Sequence, residues 1–140
     1  MAKEKHAHIT WTGEDLDLQV TAPNGYSYSM AAPTGGQGAT PMEFLLAAAA
    51  GCTAMDVISI LKKKRQPLKG MELEITGVQA ESMPNVFTTA TLVYIIKGAD
   101  VSPTAVERAI ELSQTKYCSA SIMLKNAGMK LNTEFRIETE

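Results

Sequence analysis

Residues 40–61, TPMEFLLAAAAGCTAMDVISIL, decide the fold of this chain. Thr40 can cap a helix, and Pro41 stands at the first helical position, where no N–H group is wasted. Glu43 falls three residues after the cap and completes a capping box, so it already has a structural role. The apolar residues that follow predict one long helix that runs to about Lys64.

The same helix is apolar on all sides between residues 44 and 61. Its length is near the lower limit for a membrane span, but Asp56 interrupts it, and a central carboxylate costs about 2.5–3.5 kcal/mol on insertion scales. We therefore expect a buried core helix and no membrane role. Because residues 47–51 are all alanine or glycine, another helix can approach closely, which predicts an obligate homodimer.

On the N-terminal side of this helix, alternating apolar and polar residues predict a β-meander. Two strands are expected at residues 8–12 and 16–20, around an acidic turn. The dipeptide Asn24-Gly25 is favoured in a two-residue hairpin turn and leads into a third strand over residues 26–30.

On its C-terminal side, turn residues and hydrophobic periodicity predict five further elements: strands at 71–76 and 87–97 that form an antiparallel hairpin, helices from Ser102-Pro103 and over 119–126, and a strand at 131–137. The first of these helices has an apolar stripe at Val106, Ala109, Ile110 and Leu112. The order of elements predicts an α+β fold with antiparallel sheets packed around a long buried central helix, followed by C-terminal helices. We expect a single domain over residues 1–140.

The composition narrows the functional class. With 140 residues and a formal net charge of −2, the chain fits one soluble domain and lacks the basic surface that nucleic-acid binding needs. The start, MAKEKHAHITW, has no apolar stretch of the kind found in secretory signals. Two cysteines without a CxxC motif argue against a secreted disulfide scaffold, and His6 and His8 do not complete a closed zinc site. We expect reduced thiols in the cytoplasm, no cofactor and no metal.

The two cysteines stand in different settings. Cys52 lies within the alanine-rich helix, and Cys118 lies in KYCSASIM, near the end of a predicted helix or in a break after it. Two thiols far apart in sequence are typical of a site assembled by folding. A cysteine in an apolar helix is also among the most buried residue types and can act as a small hydrophobe. Both interpretations stay open on these residues alone.

Four segments together resemble the OsmC/Ohr family of osmotically induced and organic hydroperoxide resistance proteins. They are ITWTGEDLDL, the glycine loop leading into residues 40–64, the hairpin ending in IIKG, and VERAIELSQTKYCSA, which together cover nearly the entire chain. The resemblance implies an intertwined α+β homodimer whose central helices pack together, with two sites at the subunit interface. It also implies that Cys52 is the peroxidatic cysteine and Cys118 the resolving cysteine.

The activity that the resemblance implies is thiol-dependent reduction of organic hydroperoxides in oxidative or osmotic stress defence. A thiolate at Cys52 attacks the hydroperoxide and releases an alcohol, and the resulting sulfenic acid condenses with Cys118 to a disulfide. A dithiol, typically a lipoylated protein in this family, then restores both thiols. The apolar helix favours bulky organic hydroperoxides through contact with their tails.

The chain departs from the family pattern at the groups that activate the thiol. Active family peroxidases use an arginine near the first strands, held by a glutamate at the start of the central helix, whereas the first arginine here is Arg65. In the family that glutamate directly follows the helix-opening proline, where this chain has Met42. Glu43 is the candidate for it but stands one place further along the helix, which turns its side chain by about 100° around the helix axis. Asp56, one turn after Cys52, adds a negative charge that opposes thiolate formation unless it is paired.

Three functions are consistent with these residues. The first is an organic hydroperoxide reductase with Cys52, Cys118 and Glu43 as its catalytic residues. The second is a non-catalytic dimer whose pocket binds a small apolar or thiol-bearing ligand, which the missing arginine favours. The third is a stress-related structural dimer whose cysteines are core residues. Alkylation of the thiols separates the third from the others, and peroxide consumption with a dithiol separates the first from the second.

Overall fold

The computed structural model describes residues 2–139 and divides into two compact parts between Leu45 and Leu46. Helix α1 (Pro41–Lys63) begins in the first part and continues through the second. Each part has a three-stranded sheet of its own. The α+β class is confirmed, and the interpretation as a single domain stays a prediction.

The first part contains a meander of three short antiparallel strands, β1 (His8–Trp11), β2 (Leu18–Thr21) and β3 (Ser27–Met30). The turn between β2 and β3 differs from the expected two-residue hairpin, because Gly25 but not Asn24 has a positive φ. The Gly25 N–H bonds the Ala22 carbonyl, and the Ala22 N–H bonds the Tyr26 carbonyl. This is the pattern of a three-residue loop built on a type I turn, in which Pro23 takes the position that suits its fixed φ.

Helix α1 starts with the predicted capping box. The Glu43 N–H donates to Thr40 Oγ1 at 3.2 Å, and the Glu43 carboxylate accepts a hydrogen bond of 2.9 Å from the Thr40 N–H. These reciprocal bonds satisfy two N–H groups that the helix itself leaves without partners. At the other end, Lys62 and Lys63 lie at the negative end of the helix dipole.

The second part is built on a sheet with the order β4 (Gly70–Gln79), β5 (Phe87–Lys97) and β6 (Lys130–Glu138). The predicted antiparallel hairpin of β4 and β5 is confirmed. In contrast, β6 pairs with β5 in parallel, which differs from the expected antiparallel arrangement. Parallel neighbours need a long crossover, and helices α2 (Pro103–Leu112) and α3 (Ser119–Asn126) supply it here.

The core of the second part lies between α1, the sheet and α2. Its fully buried side chains are Val57, Leu61, Leu92, Tyr94, Ile96, Val106 and Ala109. The predicted stripe of α2 is confirmed at Val106, Ala109 and Ile110. Leu112, expected in the same stripe, is only half-buried.

Within residues 2–139, one face of α1 is buried and the other is open. Its buried residues are Ala49, Thr53, Val57 and Leu61, at a spacing of four that returns to the same face. The opposite face is open, and Met55 is 74% exposed. By length and composition alone, α1 could cross a membrane, with a mean hydropathy of 2.0 over its most apolar window. Its packed stripe is that of a core helix in a globular fold.

Candidate active site

Folding brings both cysteines and Asp56 together. The sulfur atoms of Cys52 and Cys118 and a carboxylate oxygen of Asp56 all lie within 4.8 Å of one another. Cys52 and Asp56 occupy successive turns of α1 on one face and are half-buried, whereas Cys118 is fully buried. The two distant thiols are therefore neighbours in the fold, as the sequence predicts.

Cys118 lies in a break between two helices. A single π-helical turn (Ser113–Tyr117) extends α2, and Cys118 then caps the N-terminus of α3. The Ser121 N–H donates to the Cys118 sulfur at 3.4 Å, and Ser121 Oγ lies 3.1 Å from the same sulfur. The sulfur also lies 3.8 Å from the carbonyl oxygen of Ala49. Cys118 is thus fixed by α3 and directed at α1.

Burial raises the pKa of the Cys118 thiol. Hydrogen bonds from Ser121 act in the opposite direction because they favour the thiolate, and the neighbouring Cys52 raises the pKa further. The effect of burial is the largest. Cys118 is therefore held as a neutral thiol at neutral pH.

A buried chain of hydrogen bonds ends at Asp56. It links Tyr94 to Thr53 at 2.8 Å, Thr53 to Ser113 at 2.7 Å, and Ser113 to Asp56 Oδ2 at 2.9 Å. Each hydroxyl has only one proton, and a carboxylate can only accept. Ser113 therefore donates to Asp56, which requires Thr53 to donate to Ser113 and Tyr94 to donate to Thr53. The carboxylate of Asp56 fixes the direction of the whole chain.

Gln114 and Tyr94 complete this network. The Gln114 side-chain amide donates to Thr53 Oγ1 and to the Tyr94 hydroxyl, each at 3.2 Å. Burial raises the pKa of Tyr94, so the phenol keeps the proton that it donates. Ser113 and Gln114 are both buried and both belong to the π-helical turn, a feature often found at functional sites.

A cleft of about 390 Å³ opens beside Asp56. Its apolar walls are formed by Ile60, Leu112 and Tyr117, and Lys63 and Lys64 also line it. Leu112 thus lines the cleft, whereas the sequence predicts it in the core. Asp56 is the residue that connects this cleft to the two cysteines.

The activating groups of the family pattern are a glutamate, for which Glu43 is the candidate, and an arginine, which the sequence lacks near the first strands. Glu43 lies in the first turn of α1, where its carboxylate is bonded to the Thr40 N–H, and a catalytic role for it stays a prediction. Arg108 and Arg136 pair with glutamates on the surface. Among residues 2–139, no ion pair includes Asp56.

The sequence analysis identified Cys52, Cys118 and Asp56 but missed the partners of Asp56. Thr53 gave a signal, because it is a hydroxyl residue inside an apolar helix. Tyr94, Ser113 and Gln114 gave none, because their polarity is ordinary for a strand and for a helix end. Their role follows only from the fold.

The family model described as OsmC-like protein matches residues 34–134, and this chain belongs to that family. Protein YhfA from Escherichia coli (strain K12) is 39% identical over 121 residues, which cover 86% of this chain and 90% of that protein. A hypothetical protein from Aquifex aeolicus VF5 has a similar crystal structure, with a TM-score of 0.88 and 28% identity over 99% of each chain. An organic hydroperoxide resistance protein OsmC from Legionella pneumophila shares the fold, with a TM-score of 0.69 and 13% identity over 99% of this chain and 98% of that chain. The predicted family is confirmed.

Proposed function

We propose that this protein is a thiol-dependent peroxidase that reduces organic hydroperoxides through Cys52 and Cys118. The observation that carries the proposal is the approach of the two sulfur atoms to within 4.8 Å. A disulfide needs an S–S distance of about 2.05 Å, so the two sulfur atoms have to approach by less than about 3 Å in the cycle. The family and its organic hydroperoxide resistance neighbour support this chemistry.

Cys52 is the attacking residue in the first step. It is half-buried and borders solvent, whereas Cys118 is fully buried and its raised pKa keeps the thiol neutral. The Cys52 thiolate attacks the outer hydroperoxide oxygen, an S–O bond forms, and the O–O bond breaks. The alkoxide takes one proton and leaves as an alcohol, and Cys52 remains as a sulfenic acid.

Cys118 acts in the second step. Its sulfur attacks the Cys52 sulfur, an S–S bond forms, and the hydroxyl leaves as water with the thiol proton. Ser121 stabilises the Cys118 thiolate in this step, because its N–H and its hydroxyl can both donate to the sulfur. Asp56 lies within 4.8 Å of both sulfurs and can transfer the thiol proton to the leaving hydroxyl. A dithiol reductant, for which a lipoylated protein is the first candidate, then restores both thiols and is itself oxidised to a disulfide.

The cleft beside Asp56 favours a bulky organic substrate. Ile60, Leu112 and Tyr117 offer an apolar wall for a hydrocarbon tail, and Asp56, which also lines the cleft, lies within 4.8 Å of the Cys52 sulfur. Hydrogen peroxide has no tail and gains nothing from this wall. The substrate class that fits is therefore an alkyl or aryl hydroperoxide.

The open face of α1 supports a homodimer. A second copy of α1 can pack against Met55 and the small residues of Ala47–Gly51, which removes apolar surface from water. A cycle that needs reduced thiols at its start suits the reducing cytoplasm.

Consumption of cumene hydroperoxide by the reduced protein tests the proposed function. With dihydrolipoamide or dithiothreitol in a chelated buffer, the wild type is expected to turn over repeatedly, and Cys52→Ser is expected to lose dithiol-dependent activity. Cys118→Ser should complete one turnover and retain a sulfenic acid that dimedone traps, because only the second step needs Cys118. A wild type that consumes no hydroperoxide with either dithiol would contradict the proposal.

A second candidate function is ligand binding without turnover. It is favoured by the lack of an arginine near the first strands, since a peroxidatic thiolate needs a nearby cation or hydrogen-bond donors. In that case the cleft would hold a small apolar or thiol-bearing molecule. The same experiment separates the two functions, because a binding protein leaves the hydroperoxide concentration unchanged.

A further inference from the structure

The cluster of Cys52, Cys118 and Asp56 is also a set of metal ligands. We propose that the reduced protein binds one Zn²⁺ ion per chain through the two sulfur atoms and one carboxylate oxygen of Asp56. The fourth position of the ion stays open to water. This site does not rest on the proposed peroxidase activity, because it needs only that both thiols are reduced.

The geometry of the three atoms is close to that of a tetrahedral site. Bonds of about 2.3 Å to sulfur and about 2.1 Å to oxygen place neighbouring ligand atoms roughly 3.6–3.8 Å apart. The three ligand atoms in the structure are separated by no more than 4.8 Å. Each pair therefore has to close by about 1.2 Å at most when the ion binds.

The donor chemistry selects zinc. Two thiolates and one carboxylate suit a borderline-soft divalent ion, whereas Mg²⁺ and Ca²⁺ prefer all-oxygen sites. The sequence predicts no closed structural zinc site, because His6 and His8 do not supply the ligands that such a site needs beside the two cysteines. The fold supplies a third ligand, Asp56, and three protein ligands with one open position are the pattern of an open site.

Two of the three ligands are oriented by partners of their own. Ser113 donates to Asp56 Oδ2 at 2.9 Å, and Ser113 is held in turn by Thr53 at 2.7 Å. The Ser121 N–H donates to the Cys118 sulfur at 3.4 Å. Such outer partners fix the direction of metal ligands and increase their affinity.

Charge and access are also consistent with a bound cation. Binding of the ion requires both thiols to lose their protons, and a divalent ion offsets two of the three negative charges of the resulting thiolates and carboxylate. Asp56 has no ion-pair partner within residues 2–139, so no side-chain cation has to be displaced. Asp56 also lines the cleft, which gives the ion a path from solvent.

Zinc binding and disulfide formation exclude each other, because both use the same two sulfur atoms. Oxidation of Cys52 and Cys118 to a disulfide should release the ion, and bound zinc should block attack by Cys52 on a hydroperoxide. The cluster would then respond to both the redox state and the zinc concentration.

Titration of reduced, metal-free wild type with Zn²⁺ in competition with a chromophoric chelator tests the site, with Co²⁺ as a spectroscopic probe. We expect one ion per chain, and for Co²⁺ both sulfur charge-transfer bands and the intense visible bands of a tetrahedral ion. Cys52→Ser, Cys118→Ser and Asp56→Asn should each weaken binding by more than tenfold, and Ser113→Ala by about tenfold. Asp100→Asn, which removes an exposed carboxylate of the same type in the turn after β5, should bind as the wild type does.

The result that overturns the site is an Asp56→Asn variant that binds Zn²⁺ as tightly as the wild type, or a stoichiometry of one ion per two chains. Retention of Zn²⁺ after oxidation to the disulfide would overturn it as well. A protein that binds zinc but consumes no hydroperoxide in chelated buffer would support the site and contradict the peroxidase proposal. A protein that consumes hydroperoxide but binds no zinc would support the peroxidase proposal and contradict the zinc site.

Discussion

The hydroxyl of Ser113 donates a hydrogen bond of 2.9 Å to Oδ2 of Asp56, although 57 residues separate the two in sequence. This bond joins the π-helical turn before Cys118 to the helical turn after Cys52. The two thiol-bearing segments are therefore fastened together next to their sulfur atoms. Changes in this network should affect both the stability of the fold and the distance between the thiols.

Thr53 is the central member of the network, so its hydroxyl is the first target. In Thr53→Val the shape is kept, but Tyr94 and Ser113 each lose a buried partner. We expect a loss of about 1–3 kcal/mol in the free energy of unfolding, because the buried O–H of Tyr94 loses its acceptor and the buried Ser113 oxygen loses its donor. Urea unfolding at equal protein concentrations measures this loss.

Thr115→Val is the matched control for Thr53→Val. The Thr115 hydroxyl bonds the Glu111 carbonyl on the surface, where water can replace it. Its substitution should change the free energy of unfolding by about 0.5 kcal/mol or less. Equal losses in the two variants would contradict the special role of the buried network.

The hydroxyl of Ser121 should set the reactivity of Cys118. Burial raises the pKa of Cys118, and the hydrogen bonds from Ser121 oppose that increase. Ser121→Ala removes one donor to the thiolate, so the pKa should rise further and less thiolate should form at any given pH. In a Cys52→Ser background and chelated buffer, the pH profile of iodoacetamide reaction should shift to higher pH.

Ser119→Ala in the same background is the control, because Ser119 is exposed in the first turn of α3. Its alkylation profile should match that of Cys52→Ser alone. A profile for Ser121→Ala that shifts to lower pH would mean that Ser121 stabilises the neutral thiol instead.

The fold could be predicted largely from local signals. The capping box at Thr40 and Glu43 marks the start of α1, and the alternation in β4 and β5 gives the hairpin. The parallel pairing of β6 with β5 could not be predicted, because it depends on where two helices carry the chain and not on any property of β6 itself. The turn at Gly25 was assigned the wrong length because Asn-Gly occurs in more than one turn type.

The sequence predicts only the reactive residues of the candidate site. Cys52 and Cys118 are rare residue types in a recognisable context, and Asp56 is a carboxylate in an apolar helix, so each is visible in the sequence. Tyr94 and Ser113 are ordinary residues whose importance comes from burial beside Thr53. No spacing rule relates a strand residue to a helix end, so their partnership needs three-dimensional information.

The apolar wall of the cleft should determine how strongly the protein prefers a bulky organic hydroperoxide to hydrogen peroxide. Tyr117 lines the cleft and is 50% exposed, so Tyr117→Ala can be tolerated without damage to the core. The loss of apolar contact should raise the KM for cumene hydroperoxide about tenfold, while the KM for hydrogen peroxide should hardly change. Steady-state kinetics with both substrates measures the difference.

Met123→Ala is the control for the cleft, because Met123 is a large exposed side chain on α3 that does not line it. It should leave both KM values unchanged. A Tyr117→Ala variant with equal effects on the two peroxides would contradict binding of the substrate tail in this cleft.

The open face of α1 should be the centre of a homodimer. Met55 is 74% exposed in the single chain and lies on the open face of α1, so a charge at this position would have to be buried in the dimer. In a two-fold interface the substitution is present in both copies. The two buried aspartates would therefore also repel each other across the axis. We expect wild type to be a dimer at micromolar concentration, and Met55→Asp to raise the dimer dissociation constant by roughly a hundredfold or more. Sedimentation equilibrium measures both, with Met123→Asp as the control for a charge placed on an exposed methionine of α3. A monomeric wild type at micromolar concentration, or a Met55→Asp variant as dimeric as the wild type, would show that this face is not the interface.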